Sequence, residues 1–251
     1  MKILIFIYGL IIGSFLNVCI YRIPRNESIV YPSSHCPKCG INLRWYDNIP
    51  LFSFIALRGK CRYCKAPISN RYPIVEFLNA IVYLAFFYFY GLSLDFIFYT
   101  MVASVLIAIS FIDLKEMIIP DILVIIIFIL SVLYKLLNYY IYDSFEILDS
   151  LGGLVLGGGV FLVIVILSKG GMGDGDVILI SSLGFILGTK YIIFNMFLSF
   201  ILGAIISLIL LITGIKTSKD PIPFGPFIVL AFFFTVLWGD SIMRWYFKTF
   251  I

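Results

Sequence analysis

Along this chain apolar residues run in long unbroken blocks instead of alternating with polar ones. A block of roughly 20 apolar residues is long enough to cross a bilayer as a helix, a form that satisfies its backbone internally in lipid. Such blocks predict about eight membrane spans, near residues 3–21, 74–91, 95–112, 119–140, 150–168, 177–189, 191–214 and 223–243. The sixth is the shortest. One long polar stretch, residues 22–72, separates the first span from the others. The pattern therefore predicts an all-α polytopic membrane protein carrying one small loop domain, and it excludes a water-soluble core.

Composition agrees: 62% of residues are hydrophobic, only 13% are charged, and mean hydropathy is +1.09. A signal peptide is the rival reading of the first block. Lys2 is its whole charged n-region, the apolar run exceeds the usual length, and no small-residue cleavage site follows, so a retained helix is expected. No internal repeat or low-complexity tract is evident.

The placement of charge matters more than its sum of +4. Nine of the 18 basic residues lie in the polar stretch: Arg22, Arg25, Lys38, Arg44, Arg58, Lys60, Arg62, Lys65 and Arg71. By the positive-inside rule that stretch is cytoplasmic. A nucleic-acid surface is disfavoured, because the bases are scattered among apolar and turn residues. Counting spans puts the N-terminus and the links near 91–93, 143–147 and 189–190 outside. The links near 113–120, 169–176 and 216–221 fall inside, in agreement with Lys115, Lys169, Lys216 and Lys219.

Four of the five cysteines occupy the polar stretch as Cys36-Pro-Lys-Cys39 and Cys61-Arg-Tyr-Cys64, with 21 residues between the pairs. Two C-x-x-C pairs at this separation suit one tetrahedral Zn²⁺, and four thiolates leave no open position, so the site is structural. Disulfides are the alternative, but a cytoplasmic loop is reducing. Gly40 suits a tight turn, and Lys38, Arg62 and Lys65 favour ionised thiols. Too short for a large core, the loop would draw much of its folding energy from the metal. His35, the sole histidine, reads as a neighbour of the site, and Cys19 as a packing residue. One histidine far from the membrane acids argues against a serine or cysteine triad.

Asp113 ends the third predicted span and Asp176 begins the sixth, inside Met172-Gly-Asp-Gly-Asp176. Two intervening spans return the chain to the same face, so both carboxylates fall at the cytoplasmic edge of the bilayer. Ionisable groups there suggest function. Two nearby carboxylates can share one proton, so that one activates water while the other polarises a carbonyl, with neither metal nor histidine. Gly173 and Gly175 lack Cβ and let backbone and substrate approach. The bland alternative is that the acids only suit helix N-termini. It fits Asp121, after Pro120, and Glu76, after Pro73; it fits Asp113 badly, since that residue closes a helix. The residues alone leave both readings open.

Taken together, these features resemble the type IV prepilin peptidases, bacterial membrane aspartic proteases of the GxGD kind. The resemblance covers nearly the whole chain: GSFLNVCIYRIP at 13–24, the cysteine loop and its exit at 36–76, Ile112-Asp113 with Ile119-Pro-Asp121, GMGDGDVILISSLGFILG at 171–188, and IPFGPFIVLA at 222–231. It implies a multi-pass protein of the bacterial plasma (inner) membrane, serving type IV pili or protein secretion. The implied activity is cleavage of prepilin or pseudopilin leaders after a glycine on the cytoplasmic side. Methylation of the new N-terminal residue with S-adenosylmethionine is implied by the cysteine loop.

The resemblance makes Asp113 and Asp176 the catalytic pair and Gly173 and Gly175 their loop support, with Cys36, Cys39, Cys61 and Cys64 on zinc. The pattern fits Asp174 or Asp176; Asp176 is preferred because Met-Gly stands two residues ahead of the final Gly-Asp. Ile178 stands where the family usually has lysine. No Gly-rich nucleotide fold is present, so a cofactor pocket would draw on Asn17, Arg22, Trp45, Tyr46, Asp47, Asn48, Arg71, Tyr72 and Glu76, residues that could equally maintain the fold. Gly225, between Pro223 and Pro226, is expected to break the last helix near the acids or to form a turn. The implied domains are the first helix (1–21), the zinc loop (22–72) and a seven-helix peptidase (73–251). The rival classes are a proton- or cation-coupled transporter, a general intramembrane aspartyl protease and a zinc-dependent scaffold.

Overall fold

The structure, a computed structural model, describes residues 1–142, 147–168, 171–217 and 220–250. Lys169, Lys219 and most of the expected link at 143–147 lie outside the described residues. The helices are α1 (Lys2–Arg22), α2 (Phe52–Ala56), α3 (Arg71–Tyr90), α4 (Leu94–Glu116), α5 (Asp121–Tyr142), α6 (Ile147–Leu167), α7 (Asp174–Ile212) and α8 (Gly225–Phe250). Short 3-10 turns occupy Ile23–Arg25 and Trp45–Asn48. Among the described residues no strand forms beyond two isolated bridges. The chain divides into two compact units, Met1–Ala108 and Ile109–Ile251.

In the first unit α1 packs on α3 through small residues. Gly9 and Gly13 face Ala80 and Glu76 so closely that an added Cβ would lie 2.6 Å and 2.7 Å from their Cα atoms. Small residues four apart allow this approach in membranes, where packing rather than water expulsion drives association. Polar side chains reinforce it. Asn79 Nδ2 donates to Gly9 O at 2.7 Å, Ser104 Oγ donates to Asn79 Oδ1 at 3.0 Å, and the Tyr83 hydroxyl meets Ser104 Oγ at 2.9 Å.

In the second unit, one helical stretch carries two of the expected spans. Among the described residues seven continuous helical stretches have the length and apolarity to cross a membrane, and the longest is interrupted within. The expected spans at 177–189 and 191–214 form one helical stretch, α7, whose interior holds a non-helical Gly188 (φ 74°, ψ 177°). A straight helix of 39 residues would be roughly 58 Å long, about twice the hydrocarbon thickness. It is not straight. A Cβ on Gly157 of α6 would touch Ile180 O and Ile192 Cγ1, both at 3.1 Å, although those residues would lie about 18 Å apart along a continuous helix. The chain therefore folds back at Gly188, and two limbs line α6. Thr189, opening the second limb, donates its backbone N–H to Asp149 Oδ1 at 3.1 Å, and its hydroxyl donates to the same oxygen.

Aromatic rings tie α6 and α7 to the residue just before α8. Phe161, Phe200 and Phe224 form a triangle with centroids 5.4–6.0 Å apart, a spacing at which rings attract beyond their buried area. Gly203 meets Phe224 and Phe227, while Gly239 meets Tyr191, so the second limb of α7 and α8 run antiparallel.

Candidate active site and metal centre

The carboxylate pair lies within the second unit. α4 ends because Met117 turns left-handed (φ 55°), its N–H donating to Asp113 O at 2.9 Å. Pro120 then biases Ile119 to extended backbone and clears the start of α5. Asp113 is thus held in the last turn of α4, 5% exposed. A helix C-terminus repels an anion. The structure offsets this with another helix: Gly225, the first residue of α8, donates its N–H to Asp113 Oδ2 at 3.0 Å. That amide has no partner inside its own helix.

Asp176 sits in the first turn of α7, 7% exposed, its own N–H donating to the N-cap Gly173 O at 3.1 Å. A helix N-terminus favours a carboxylate there. A Cβ on Gly173 would lie 3.5 Å from Asp176 Oδ2, while Asp176 Oδ1 is buried without a hydrogen-bond partner. The charges of Asp113 and Asp176 are close enough to act on one another.

Ile119 closes the arrangement. A Cβ on Gly175 would lie 2.8 Å from Ile119 Cβ, and one on Gly225 would lie 3.4 Å from Ile119 Cδ1. Gly225 is tighter still against Asp113, at 2.6 Å from Oδ2. Both glycines are required by close approach. Asp174, two residues earlier in the same turn, is exposed, as is Asp121. Sequence reasoning placed Gly225 near the acids without assigning its amide, and it included Ile119 in the Ile119-Pro-Asp121 segment without giving it a role.

The four loop cysteines converge in the first unit. Their Sγ atoms all lie within 4.8 Å of one another, with Cys36 and Cys64 at 3.8 Å. Tetrahedral zinc with bonds of about 2.3 Å separates its sulfurs by about 3.8 Å, so the group fits a metal of that kind.

The two halves are built alike. Cys36 N–H donates to Ile41 O and Gly40 N–H to Cys36 O; Cys61 N–H donates to Ala66 O and Lys65 N–H to Cys61 O. Bridges His35–Asn42 and Lys60–Pro67 close both knuckles, and Gly40 (φ 71°) and Lys65 (φ 58°) make the same left-handed turn. Amides of Cys64 and Tyr63 lower the Cys61 thiol to about 7. His35 is exposed, 3.1 Å from Ser33 O through Nδ1, and stands outside the thiol cluster. Cys19 is buried in α1.

Several residues considered for a cofactor pocket hold the loop in place. Arg22 donates to Ser28 O and Pro32 O at 2.8 and 2.7 Å, and Asn17 donates to Tyr72 O at 3.1 Å. Buried Asp47 pairs with Arg62 at 2.8 Å, which links the 3-10 turn to the second knuckle. Glu76 Oε2 accepts the Leu51 N–H at 2.8 Å. Arg71 packs over the Tyr72 ring, and Trp45 is 79% exposed.

Known proteins resemble this chain in sequence. The family model for the bacterial peptidase A24 N-terminal domain matches residues 7–90, and that for the type IV leader peptidase family matches 100–208. A protein of Aeromonas hydrophila named prepilin leader peptidase/N-methyltransferase is 34% identical over 273 residues, covering 99% of this chain and 94% of its own. The chain belongs to the type IV leader peptidase family. Relatives with the same printed name include one from Pseudomonas aeruginosa, 34% identical over 95% of this chain and 90% of its own. One from Bacillus subtilis is 35% identical over 98% of this chain and 97% of its own. No solved structure matches the chain. Ile178, which stands where the family usually has lysine, is 45% exposed.

Proposed function

We propose that this protein cleaves the leader from prepilins or pseudopilins with Asp113 and Asp176, and methylates the new N-terminal residue. The observation that carries the proposal is the buried pair itself: two carboxylates within Coulombic reach, each against a helix N-terminus, one with an unpartnered oxygen.

Such a pair hydrolyses a peptide without metal. With one proton shared between them, the ionised member takes a proton from water as the water oxygen attacks the scissile carbonyl. The protonated member hydrogen-bonds the carbonyl oxygen. Collapse of the tetrahedral intermediate breaks the C–N bond, and the departing amine takes up a proton from a carboxyl group. Asp176 Oδ1 is buried with no hydrogen-bond partner of its own, which leaves its lone pairs uncommitted. Gly173 places no side chain beside Asp176 Oδ2, and Gly175 lets Ile119 approach, which suits cleavage after a glycine. The acids sit at helix ends, whereas a transporter would hold them near the midplane.

Residues 22–72 would hold Zn²⁺ through Cys36, Cys39, Cys61 and Cys64, and zinc supplies the cross-link between the knuckles when bound. Residues 73–251 would carry the peptidase. The methyl group would come from S-adenosylmethionine, and Asn17, Arg22, Asp47 and Glu76 would keep the zinc loop in place for that second reaction. The basic content of the loop supports a cytoplasmic position in the bacterial inner membrane for both activities.

The test uses the purified protein and a prepilin peptide in detergent, with and without S-adenosylmethionine. Asp113→Asn and Asp176→Asn should each abolish cleavage, while Asp174→Asn keeps much of it. Full cleavage by Asp176→Asn would reassign the pair, and a product without the mass of one methyl would remove the transferase half.

A further inference from the structure

We infer that the second cysteine knuckle and α2 form a binding site for the headgroup of an anionic phospholipid. The loop starts at Arg22, where α1 ends, and returns at Arg71, where α3 begins. Both helices are apolar enough to span the bilayer, so the loop between them is tethered at its surface.

α2 is apolar on the outside as well as the inside. Phe54 packs on Gly59, with its ring 3.2 Å from the position of an added Cβ. Phe52 and Ile55, three apart and therefore on one face, are 68% and 72% exposed. Exposed large apolar side chains on a surface helix suit the boundary between headgroups and acyl chains.

Directly after α2 the chain forms a concavity of about 270 Å³ lined by Ala56, Leu57, Arg58, Lys60, Cys61 and Lys65. Three of the six are cationic, none is a carboxylate, and none of the three bases joins an ion pair among the described residues. Arg58 and Lys65 reach this place from left-handed backbone, φ 52° and 58°. The cavity suits a phosphate-bearing headgroup, and the apolar side chains next to it suit the lipid's tails. Charge complementarity selects the occupant: a cytoplasmic-type leaflet rich in anionic lipid attracts surface bases, and a zwitterionic one does not.

The test places the full zinc-loaded chain in nanodiscs of phosphatidylcholine with increasing phosphatidylglycerol. The reporter is Phe52→Trp, with Trp45, Trp238 and Trp245 replaced by phenylalanine. Its emission should shift to the blue, and lipids brominated on their acyl chains should quench it, as phosphatidylglycerol increases. Neutralising Arg58, Lys60 and Lys65 to glutamine should weaken that lipid preference roughly fivefold for each base, compared at equal, saturating zinc. Equal quenching in pure phosphatidylcholine, no response to the three substitutions at constant zinc content, or a shift that appears only with prepilin peptide would each overturn the inference.

Discussion

The backbone amide of Gly225 donates to Asp113 Oδ2 at 3.0 Å, so the first residue of α8 holds the carboxylate that closes α4. A carboxylate at that end of a helix needs such a donor. The amide acts through position, and a side chain at residue 225 would take the space that the carboxylate occupies.

Gly225→Ala tests this directly. Its Cβ would lie 2.6 Å from Asp113 Oδ2, so the carboxylate or α8 must move. Peptide cleavage should fall on the order of 100-fold, the cost typical of a misplacement near 1 Å, while the protein still reaches the membrane. Steady-state cleavage of a prepilin peptide measures it; a wild-type rate would mean that Asp113 is held by other groups.

Gly188 should tolerate no side chain. Its backbone (φ 74°, ψ 177°) belongs to a region that is essentially glycine's alone, and an added Cβ would overlap Asp149 Oδ2. Gly188→Ala should reduce yield of monodisperse protein in detergent. Asp149→Asn, which keeps the shape and weakens the hold on Thr189, should cost about 1–2 kcal/mol in thermal unfolding.

The matched knuckles predict opposite effects at equivalent positions. Lys65 adopts the left-handed turn that Gly40 makes without strain. In detergent, Lys65→Gly should tighten zinc by roughly fivefold, for about 1 kcal/mol of relieved strain. Gly40→Ala, which meets open space, should weaken zinc by a similar factor. Competition with a chromophoric chelator reads both.

Zinc removal should separate the two activities. A chelator should abolish methylation before cleavage, because Asp113 and Asp176 use no metal. Acid should act in the same sense as the chelator. Zinc binds thiolates, and even the Cys61 thiol ionises only near 7, so apparent zinc affinity should fall steeply as pH drops below about 7. Metal content after dialysis at several pH values checks it.

Much of this architecture was legible in the chain. Apolar runs located the spans because lipid leaves a backbone few choices, and C-x-x-C spacing brought out the thiol cluster because metal geometry is strict. Hydropathy did distinguish the two limbs of α7, but it could not say that only Gly188 interrupts the helical stretch between them. Span parity put Asp113 and Asp176 on one face, and the resemblance implied that they pair. What joins them was not legible: a backbone amide and the side chain of Ile119 have no chemical signature in a chain full of isoleucine. Asp47 and Glu76 were noticeable as acids, yet their partners, Arg62 and the Leu51 amide, depend on tertiary structure.

The family match for the leader-peptidase region stops at residue 208, whereas the amide that braces Asp113 belongs to residue 225. Any shortened version trimmed to that matched boundary would retain both acids and lose one of their supports. A transplantable catalytic module must therefore include the beginning of the final helix, and grafting experiments that omit it should yield an intact but idle protein.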